Sequence, residues 1–524
     1  MENFTKYSKE LLAGDVFVHT SIGYVKKDVD FWNNNLNNKT YQIYVHSLSF
    51  LSYLTKEYIR TKNKEYLIEG EKLLSRWIAS KHQSKFIMHE QPVSARVNNI
   101  LLFSQYQYPN VIPGNIIDII EKHIIFLLDE KNYKKNNHGI MMDTALSRTL
   151  KYIPNQLKFL EKDIINKVVN RSQKAIDRDF SSQYLHLENS PDYHRLTIRW
   201  LFSIEENLNI VQHTLGEKYL EKLNSASNLE GIIAMPNLRY PINGDSSDGT
   251  FKGIKIYDDF IDKEAGRVVF QNENRKSQLT FISGYGSKGH KHYDDLSFIF
   301  YVGKQVLLND SGKYNYVKKD KIRQHMISPL AHNSLSLYRK NYLLSNLKKD
   351  QERIYIDDYF IGENYKIVKG VNNGYADTSL IRYVIILDDD TLIIFDKFDS
   401  QNQNTIAVNF NLGLGVKAKM LSRGQFLVEG IENYILQSHY GKYTSIILND
   451  SEVTPCKISN RFNTFESNQR ILYRQKTKKG FFLTTLSKEK NEIEILNFDD
   501  KNLVINSNNK IYNISFNYIL SNKY

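Results

Sequence analysis

The pattern of apolar residues in the first half of the chain predicts a series of amphipathic helices. Apolar side chains recur at spacings of about three and four residues, which places them on one face of a helix. The clearest runs are Tyr41, Tyr44, Val45, Leu48 and Leu51; Ile116, Ile117, Ile120, Ile124, Leu127 and Leu128; and Leu196, Trp200, Ile204, Leu208 and Val211. The prolines of this half fit the junctions between helices. We therefore expect a helical layer or toroid here rather than a parallel sheet.

After residue 224 the pattern changes to short runs of β-branched and aromatic residues separated by turns. Residues 279–282, 298–302 and 383–387 are typical of these runs. Because no helical pattern lies between them, they predict an antiparallel sandwich. The turn-rich stretch before them, which contains Asp245 and Asp248, is interpreted as a linker.

Length and composition limit the number of domains, the partners and the ligands that are expected for this protein. At 524 residues the chain is too long for one hydrophobic core, so we expect at least two domains. Its formal net charge of +12 suits nucleic acid, an acidic polysaccharide or a membrane surface, but the lysines form no long basic run. The 35 tyrosines favour a cleft for sugars or other polar ligands. Cys456 is the only cysteine, which excludes an internal disulfide.

The N-terminal sequence predicts that the protein is not exported. It lacks the apolar core of a secretory signal, and no apolar run approaches the length of a membrane span. We therefore expect no membrane span and a cytoplasmic location. A protein whose leader is missing from this sequence would instead be periplasmic or secreted.

Four groups suited to metal or proton chemistry lie close together in the β-rich half: His290, His292, Asp310 and His332. His290 and His292 are two residues apart, so on a strand both would point to the same face. One could bind a metal while the other moves a proton.

Three loops of the helical half carry further candidate chemistry. They are residues 88–96, with His89 and Arg96; residues 136–139, Asn-Asn-His-Gly; and residues 186–194, with Glu188, Tyr193 and His194. Each also has an ordinary structural interpretation, as a helix end, a helix start or an ion pair. Toroids place their loops around one cleft, which favours a functional role.

Several of these segments resemble the motifs of the heparinase II/III-like polysaccharide lyases, a family that includes alginate lyases. The similar segments are Gly-His-Lys-His-Tyr-Asp-Asp-Leu-Ser-Phe from Gly289, Asn-Asp-Ser-Gly-Lys-Tyr from Asn309, Ala-His-Asn-Ser-Leu from Ala331, Asn-Asn-His-Gly from Asn136, Glu-Asn-Ser-Pro-Asp-Tyr-His from Glu188 and His-Glu-Gln-Pro-Val-Ser-Ala-Arg from His89. The resemblance implies a multidomain α+β fold, with an incomplete (α/α) toroid followed by an antiparallel β-sandwich. We place these domains at residues 1–228 and 229–524.

The reaction implied by the resemblance is β-elimination at a 4-linked uronic acid. It requires neutralisation of the uronate carboxylate, a base for the C5 proton and an acid for the departing O4. By resemblance, Asn137 and His138 neutralise the carboxylate, and Tyr193 protonates O4 and for one epimer also acts as the base. His290 is the base from the opposite face. The expected substrate-binding residues are Arg96, Glu188, His89 and His194.

The resemblance also implies a divalent metal, most readily zinc, held by His292, Asp310 and His332. The ion would be structural, and no organic cofactor is expected. The ordinary alternative is a hydrogen-bonded core network of the same three residues without a metal. We expect an anionic polysaccharide or oligosaccharide as partner and no nucleic acid. The oligomeric state is open, with a homodimer as one option.

Two other function classes remain open from the sequence. A non-catalytic glycan-binding or surface-polysaccharide assembly protein would bind polymer without cutting it. A metal-dependent hydrolase would use His292, Asp310 and His332 to activate water.

Overall fold

A computed structural model describes residues 2–28 and 30–516, and its contacts divide the chain into two units. The first contains the residues up to Asp179 together with Thr197–Leu223, and the second contains Phe180–Leu196 and the chain from Asn224 onward. Segment 180–196, which carries Tyr193, therefore belongs with the β-rich unit although it lies among helices in the sequence. The domain boundary that we placed between residues 228 and 229 stays a prediction.

The N-terminal part of the chain is helical. Its elements are α1 (Glu2–Leu12), β1 (Asp15–His19), β2 (Gly23–Lys26), α2 (Lys39–Val45), α3 (Ser49–Thr61), α4 (Glu65–Ala79), α5 (Glu90–Gln107), α6 (Gly114–Leu128), α7 (Asn137–Thr149), α8 (Glu161–Asp179), α9 (Pro191–Ile210) and α10 (Glu217–Ile233). Helices α3, α5 and α7 pack side by side, and α4, α6 and α8 alternate with them along the chain. This packing agrees with the predicted toroid.

Apolar spacing explains these helices, with one correction. In α6, Ile116, Ile120 and Leu127 are all buried, as their spacing predicts. The run from Tyr41 to Leu51, in contrast, is not one helix. It breaks between α2 and α3 because Leu48 adopts a left-handed backbone with φ of 51°, which no helix continues through.

The second unit is built from antiparallel sheets. Its elements are β3 (Phe260–Asp262), β4 (Arg267–Asn272), β5 (Ser277–Ile282), β6 (Ser297–Val302), β7 (Gln305–Leu308), α11 (Lys321–Met326), β8 (Leu335–Leu337), α12 (Leu347–Gln351), β9 (Ile354–Ile361), β10 (Tyr365–Tyr375), β11 (Thr378–Leu387), β12 (Leu392–Asn411), β13 (Lys417–Ser422), β14 (Gln425–Glu429), β15 (Tyr434–Tyr440), β16 (Thr444–Asn449), β17 (Lys457–Ile458), β18 (Glu466–Ser467), β19 (Gln469–Lys488), β20 (Ile493–Phe498), β21 (Asn502–Ser507) and β22 (Lys510–Ser515). Strands β3 to β7 form one sheet in chain order. The largest sheet has the order β13-β14-β15-β19-β12-β11-β10-β9, with β16 added on β19 and β8 on β12.

The two main sheets share one apolar core. Phe281 and Phe298 of the smaller sheet join Phe410 and Tyr473 of the larger sheet in a single buried cluster. On its other face, the larger sheet buries Phe395 against the three-stranded sheet β20-β21-β22. The predicted fold class, a helical N-terminal region followed by an antiparallel β-sandwich, is confirmed. Among the described residues, no helix is both long and apolar enough to cross a membrane.

A buried ion pair ties the sandwich to the loops that carry the histidines. Arg382 on β11 donates two hydrogen bonds to Asp396 on β12, at 2.6 and 2.8 Å, and both side chains are fully buried. Its Nη1 also donates to the carbonyl oxygens of Leu296, at 2.7 Å, and Asn333, at 2.6 Å. Leu296 precedes β6 and Asn333 follows His332, so one guanidinium fixes both loops.

Replacing Arg382 with methionine should lower the free energy of unfolding by about 3–5 kcal/mol, because Asp396 would remain buried without its partner. Urea denaturation followed by circular dichroism measures the change. Lys479→Met is the matched control, since Lys479 pairs with Asp399 on the surface and such pairs contribute little. Equal stability of the two variants would contradict a bracing role for Arg382.

Candidate active site

Tyr193 and His290 form the centre of the candidate site in the second unit. Tyr193 lies in the first turn of α9, which begins at Pro191, a residue suited to a first helical position. Its ring stacks on the His290 imidazole with centroids 3.5 Å apart and planes 18° from parallel. The Tyr193 hydroxyl also shares a 3.1 Å hydrogen bond with the hydroxyl of Tyr316. The two residues that we predicted to move protons therefore lie in direct contact.

A carboxylate orients His290. The imidazole Nδ1 lies 2.9 Å from Asp245 Oδ2, so Nδ1–H donates a hydrogen bond to the carboxylate and, in the neutral ring, the lone pair is on Nε2. Nε2 lies 3.8 Å from Glu188 Oε2. Because a carboxylate on one ring nitrogen makes the other a better proton acceptor, this arrangement suits a general base.

Asp245 is held ionised by three cationic or polar neighbours. Burial alone would raise its pKa, but the hydrogen bonds from His290 and His292 and the charge of Arg323 hold the pKa of Asp245 well below its usual range. His292 Nε2 lies 2.9 Å and Arg323 Nη1 2.7 Å from Asp245 Oδ1. The carboxylate thus remains available to His290.

Burial also fixes the protonation state of the tyrosine. Desolvation, with a smaller contribution from the charge of Asp245, raises the pKa of Tyr193 to about 12. The hydroxyl therefore keeps its proton at neutral pH, which suits a general acid.

The expectation that His290 and His292 share one face of a strand is wrong. Both lie in the loop between β5 and β6, and His290 has a left-handed backbone with φ of 56°. This backbone conformation is uncommon for histidine and places the side chain beside Asp245.

Backbone contacts hold this loop against the Tyr193 segment. Asn189 Nδ2 donates to the carbonyl oxygens of Ser287, at 2.6 Å, and Gly289, at 2.8 Å. Gly244, next to Asp245, is tightly packed. A Cβ atom at this position would lie 2.5 Å from the backbone carbonyl oxygen of Asn189 and 3.2 Å from that of His290. Residue 244 must therefore be glycine for two reasons: the close packing leaves no room for a Cβ atom, and the φ of 57° disfavours other residues.

Gly244→Ala should lower the rate of the catalysed reaction at least about tenfold, because displacement of a catalytic group by an ångström is enough for such a loss. Gly415→Ala is the matched control: Gly415 also has a positive φ, of 78°, but a Cβ there meets no atom within 4 Å. Both substitutions place alanine at a positive φ, but only the one at Gly244 adds a clash. Equal activities would show that the close contact at Gly244 does not position His290.

His292, Asp310 and His332 form a buried group below this centre. Of the described residues, this is the group in which metal-ligating atoms come together, all within 4.8 Å of one another. His332 Nδ1 lies 2.8 Å from Asp310 Oδ2. Each imidazole thus uses one nitrogen on a carboxylate, His292 on Asp245 and His332 on Asp310, while His292 Nδ1 and His332 Nε2 have no hydrogen-bond partner in the described chain.

These donors fit a divalent metal ion. Two buried imidazole nitrogens without hydrogen-bond partners, next to a carboxylate, are a suitable ligand set for zinc, and the outer hydrogen bonds would orient the rings. Burial lowers the pKa of His292, which favours the neutral, ligating form. Burial also favours the neutral form of His332, but the charge of Asp310 outweighs burial and raises the pKa of this imidazole.

In the helical unit, Asn137 and His138 begin α7. Asn136 caps this helix by accepting a hydrogen bond from the His138 backbone, and Asn137 and His138 are half-buried. His138 Nδ1 lies 2.9 Å from Glu90 Oε1, and His89 Nδ1 lies 3.4 Å from Glu90 Oε2. Burial opposes ionisation of Glu90, but its bond to His138 prevails and lowers the pKa to about 2. The Glu90 carboxylate therefore bonds to His138 and lies next to His89, whose Nδ1 accepts a hydrogen bond from the Gln91 backbone N–H at 3.4 Å.

Arg96 and His194 lie in the packed interior of their units. Arg96 is fully buried and uses all three nitrogens, bonding to His123 and to the carbonyl oxygens of His46 and Ile87. His194 accepts a backbone hydrogen bond at Nδ1 and donates to the Ala226 oxygen at Nε2. Burial lowers the pKa of His194 to about 4. A substrate contact by either residue would require these bonds to break, which favours structural roles.

Sequence analysis missed Asp245, Arg323, Tyr316 and Glu90. Asp245 lies in a Gly-Asp-Ser-Ser-Asp-Gly stretch that has the composition of a linker. Tyr316 is one of 35 tyrosines, and Arg323 lies on the short helix α11, more than thirty residues from His290 in the chain. Glu90 lies next to His89 in a segment that resembles a lyase motif, but the sequence alone assigns it no role.

Comparison with known proteins finds a family match within the second unit. Residues 263–497 match the family model "Heparinase II/III-like, C-terminal". The crystal structure of a heparan sulfate lyase HepC mutant from Pedobacter heparinus is similar over 98% of this chain and 88% of its own, with a TM-score of 0.74 and 14% identity. Heparinase III is similar over 91% of this chain and 83% of its own, with a TM-score of 0.77 and 16% identity. No curated protein sequence matches the chain. At such identities the structural likeness establishes the fold.

Proposed function

We propose that the chain is a polysaccharide lyase that cleaves a uronate-containing anionic polysaccharide by β-elimination, because residues 263–497 match the heparinase II/III-like C-terminal family model. The observation that carries the proposal is the stacking of Tyr193 on His290, with Asp245 bound to the far side of the imidazole. An acid and a base in contact are what the elimination requires. The net charge of +12 suits an anionic substrate.

In the proposed reaction, His290 Nε2 takes the C5 proton of the uronate and Tyr193 gives its hydroxyl proton to O4. The C5–H and C4–O4 bonds break, the C4–C5 double bond forms, and solvent later restores both protonation states. Asp245 stabilises the imidazolium that forms on His290. With a pKa of about 12, Tyr193 holds the proton that O4 needs, so we assign the acid role to Tyr193 and the base role to His290.

Asn137 and His138 are assigned to the uronate carboxylate. An amide N–H and an imidazole N–H both donate hydrogen bonds to a carboxylate, and these bonds strengthen as the enolate develops. Glu90 would orient His138 for this role, since it accepts from the Nδ1 of that ring. Glu188, close to His290, and His89, close to Glu90, are the remaining substrate-binding candidates.

We further propose that His292, Asp310 and His332 hold a structural divalent ion, zinc by preference. When bound, such an ion would brace the loops through three ligands. His292 in turn contacts Asp245, which orients His290. The three residues are at most 1% exposed, which argues against metal-assisted hydrolysis because substrate would have no access to a metal-bound water.

Removing the metal should destabilise the protein. We expect elemental analysis to find a bound divalent ion, and chelator treatment to lower the melting temperature, because an ion bound only by the folded state stabilises it. His332→Ala should lose the ion, whereas His439→Ala, at a histidine of β15 outside this group, should keep it. A metal-free protein whose melting temperature is insensitive to chelator would support the hydrogen-bonded alternative.

Incubation with a panel of uronate polymers tests the proposed function. Elimination creates a double bond conjugated with the carboxylate, so ultraviolet absorbance should rise for at least one polymer. Binding without a rise in absorbance or new reducing ends would support a glycan-binding protein. New reducing ends without ultraviolet absorbance would support a hydrolase.

A further inference from the structure

A cationic cavity lies in the second unit, lined by residues outside the candidate active site. It measures about 290 Å³ and is bordered by α11, the turn after β8, the loop after β16 and the start of β19. Arg470, His325, Arg339 and Lys340 line it, and none of the described residues in its lining is an aspartate or glutamate. The lining therefore carries positive charge that no acidic side chain within it neutralises.

Arg470 is the least expected member of this lining. The side chain is only 3% exposed, yet no carboxylate in the described chain forms an ion pair with it. Nε donates to Asn411 Oδ1 at 2.8 Å, and Nη2 donates to the Pro455 oxygen at 2.9 Å, which leaves Nη1 without a hydrogen bond to the described residues. Asp450, whose charge acts on Arg470, is bound to Lys457 at 2.8 Å. A buried guanidinium without an anion is costly, and burial lowers the pKa of Arg470 accordingly.

His325 lies beside Arg470 in the lining of the cavity. Arg470 Nη2 lies 3.1 Å from His325 Nε2, and because arginine only donates, Nε2 must be the acceptor. The ring proton therefore sits on Nδ1, which has no hydrogen-bond partner among the described residues. Burial, reinforced by the charge of Arg470, lowers the pKa of His325 to about 3, so the imidazole is neutral at physiological pH.

We propose that this cavity is an oxyanion-binding site that takes a sulfate, phosphate or carboxylate group. Arg470 and His325 form its base, and the exposed residues Arg339 and Lys340 form its rim, where Lys340 Nζ also donates to Asn404 Oδ1 at 3.2 Å. An oxyanion accepts several hydrogen bonds at once, and charge-assisted bonds to arginine are among the strongest in proteins. The volume suits an inorganic ion or one acidic sugar residue. These two sources share the same chemistry, and the site does not depend on the proposed elimination reaction.

Calorimetric titration at constant ionic strength tests the proposal. The probes are sodium sulfate, sodium glucuronate and uncharged glucose. The first variant is the double substitution Arg339→Ala/Lys340→Ala, which removes two exposed charges from the rim. The matched control is Lys417→Ala/Lys419→Ala, which removes two exposed charges from β13, outside the cavity. Both double variants keep the candidate active site, so any glucuronate that binds there contributes equally to the two titrations.

We expect wild-type protein to bind sulfate, glucuronate or both, but not glucose. The rim variant should bind about tenfold more weakly, as expected for lost hydrogen bonds to a charged group, and the control should match wild type. Arg470→Gln, checked for folding by its melting temperature, should abolish binding. If glucuronate binds more tightly than sulfate, the ligand is an acidic group on a sugar. If sulfate binds more tightly, the ligand is an inorganic ion. The proposal is overturned if no oxyanion binds, or if the rim and control variants weaken binding equally. Neither failure would bear on polysaccharide cleavage.

Discussion

Replacing Tyr193 with phenylalanine is expected to lower kcat for polysaccharide cleavage by about 100-fold to 10,000-fold, the range for loss of a general acid. The ring that stacks on His290 is retained, so only the proton donor is lost. KM should change little, because the hydroxyl acts on the departing oxygen rather than in binding. Initial rates of ultraviolet absorbance on the best polymer of the panel measure the effect.

Two control variants sharpen this test. Tyr316→Phe removes the hydrogen-bond partner of Tyr193 but leaves its proton, so we expect a loss of only about tenfold. Tyr440→Phe, at an exposed tyrosine of β15, should leave the rate unchanged. Full activity in Tyr193→Phe would exclude its role as the acid. A larger loss in Tyr316→Phe than in Tyr193→Phe would transfer that role to Tyr316.

Removing the imidazole of His290 is expected to have an equally large effect, about 100-fold to 10,000-fold on kcat. His290→Gly and His290→Asn are the suitable substitutions, because glycine and asparagine tolerate the left-handed backbone at this position. Both variants should fold, as their melting temperatures will show.

Chemical rescue separates a base from a structural residue. Added imidazole should restore part of the activity of His290→Gly, where the side chain leaves a space, and little of that of His290→Asn, where the new side chain fills it. Asp245→Asn should also be impaired, because an amide no longer holds the proton on Nδ1. If His290→Gly is inactive and insensitive to imidazole while its fold is intact, His290 is not the base.

The fold was largely predictable because apolar spacing reflects local geometry. The spacing in α6 and the short apolar runs that became β5 and β6 depend on neighbouring residues alone. The break between α2 and α3 was not predictable in this way. Leu48 continues the apolar spacing, and only its surroundings in the fold hold it at a positive φ.

The candidate site was predictable in part, for a related reason. Tyr193 and His290 lie in motifs that resemble those of known lyases, and the structure brings them together. Asp245 and Arg323 were missed because their role comes from the fold, which brings a turn and a short helix to His290 and His292. Arg96 shows the converse: an arginine on a helix looks the same in sequence whether it meets substrate or, as here, three buried partners.

The central claim, cleavage by elimination with Tyr193 and His290 as acid and base, is tested most directly by the masses of the products from a defined uronate oligosaccharide. Elimination adds no water, so the product masses should sum to the mass of the substrate, and the fragment with the new non-reducing end should absorb ultraviolet light. His290→Asn and Tyr193→Phe should form these products far more slowly. Product masses that sum to the substrate plus one water would contradict the account, because they would show hydrolysis.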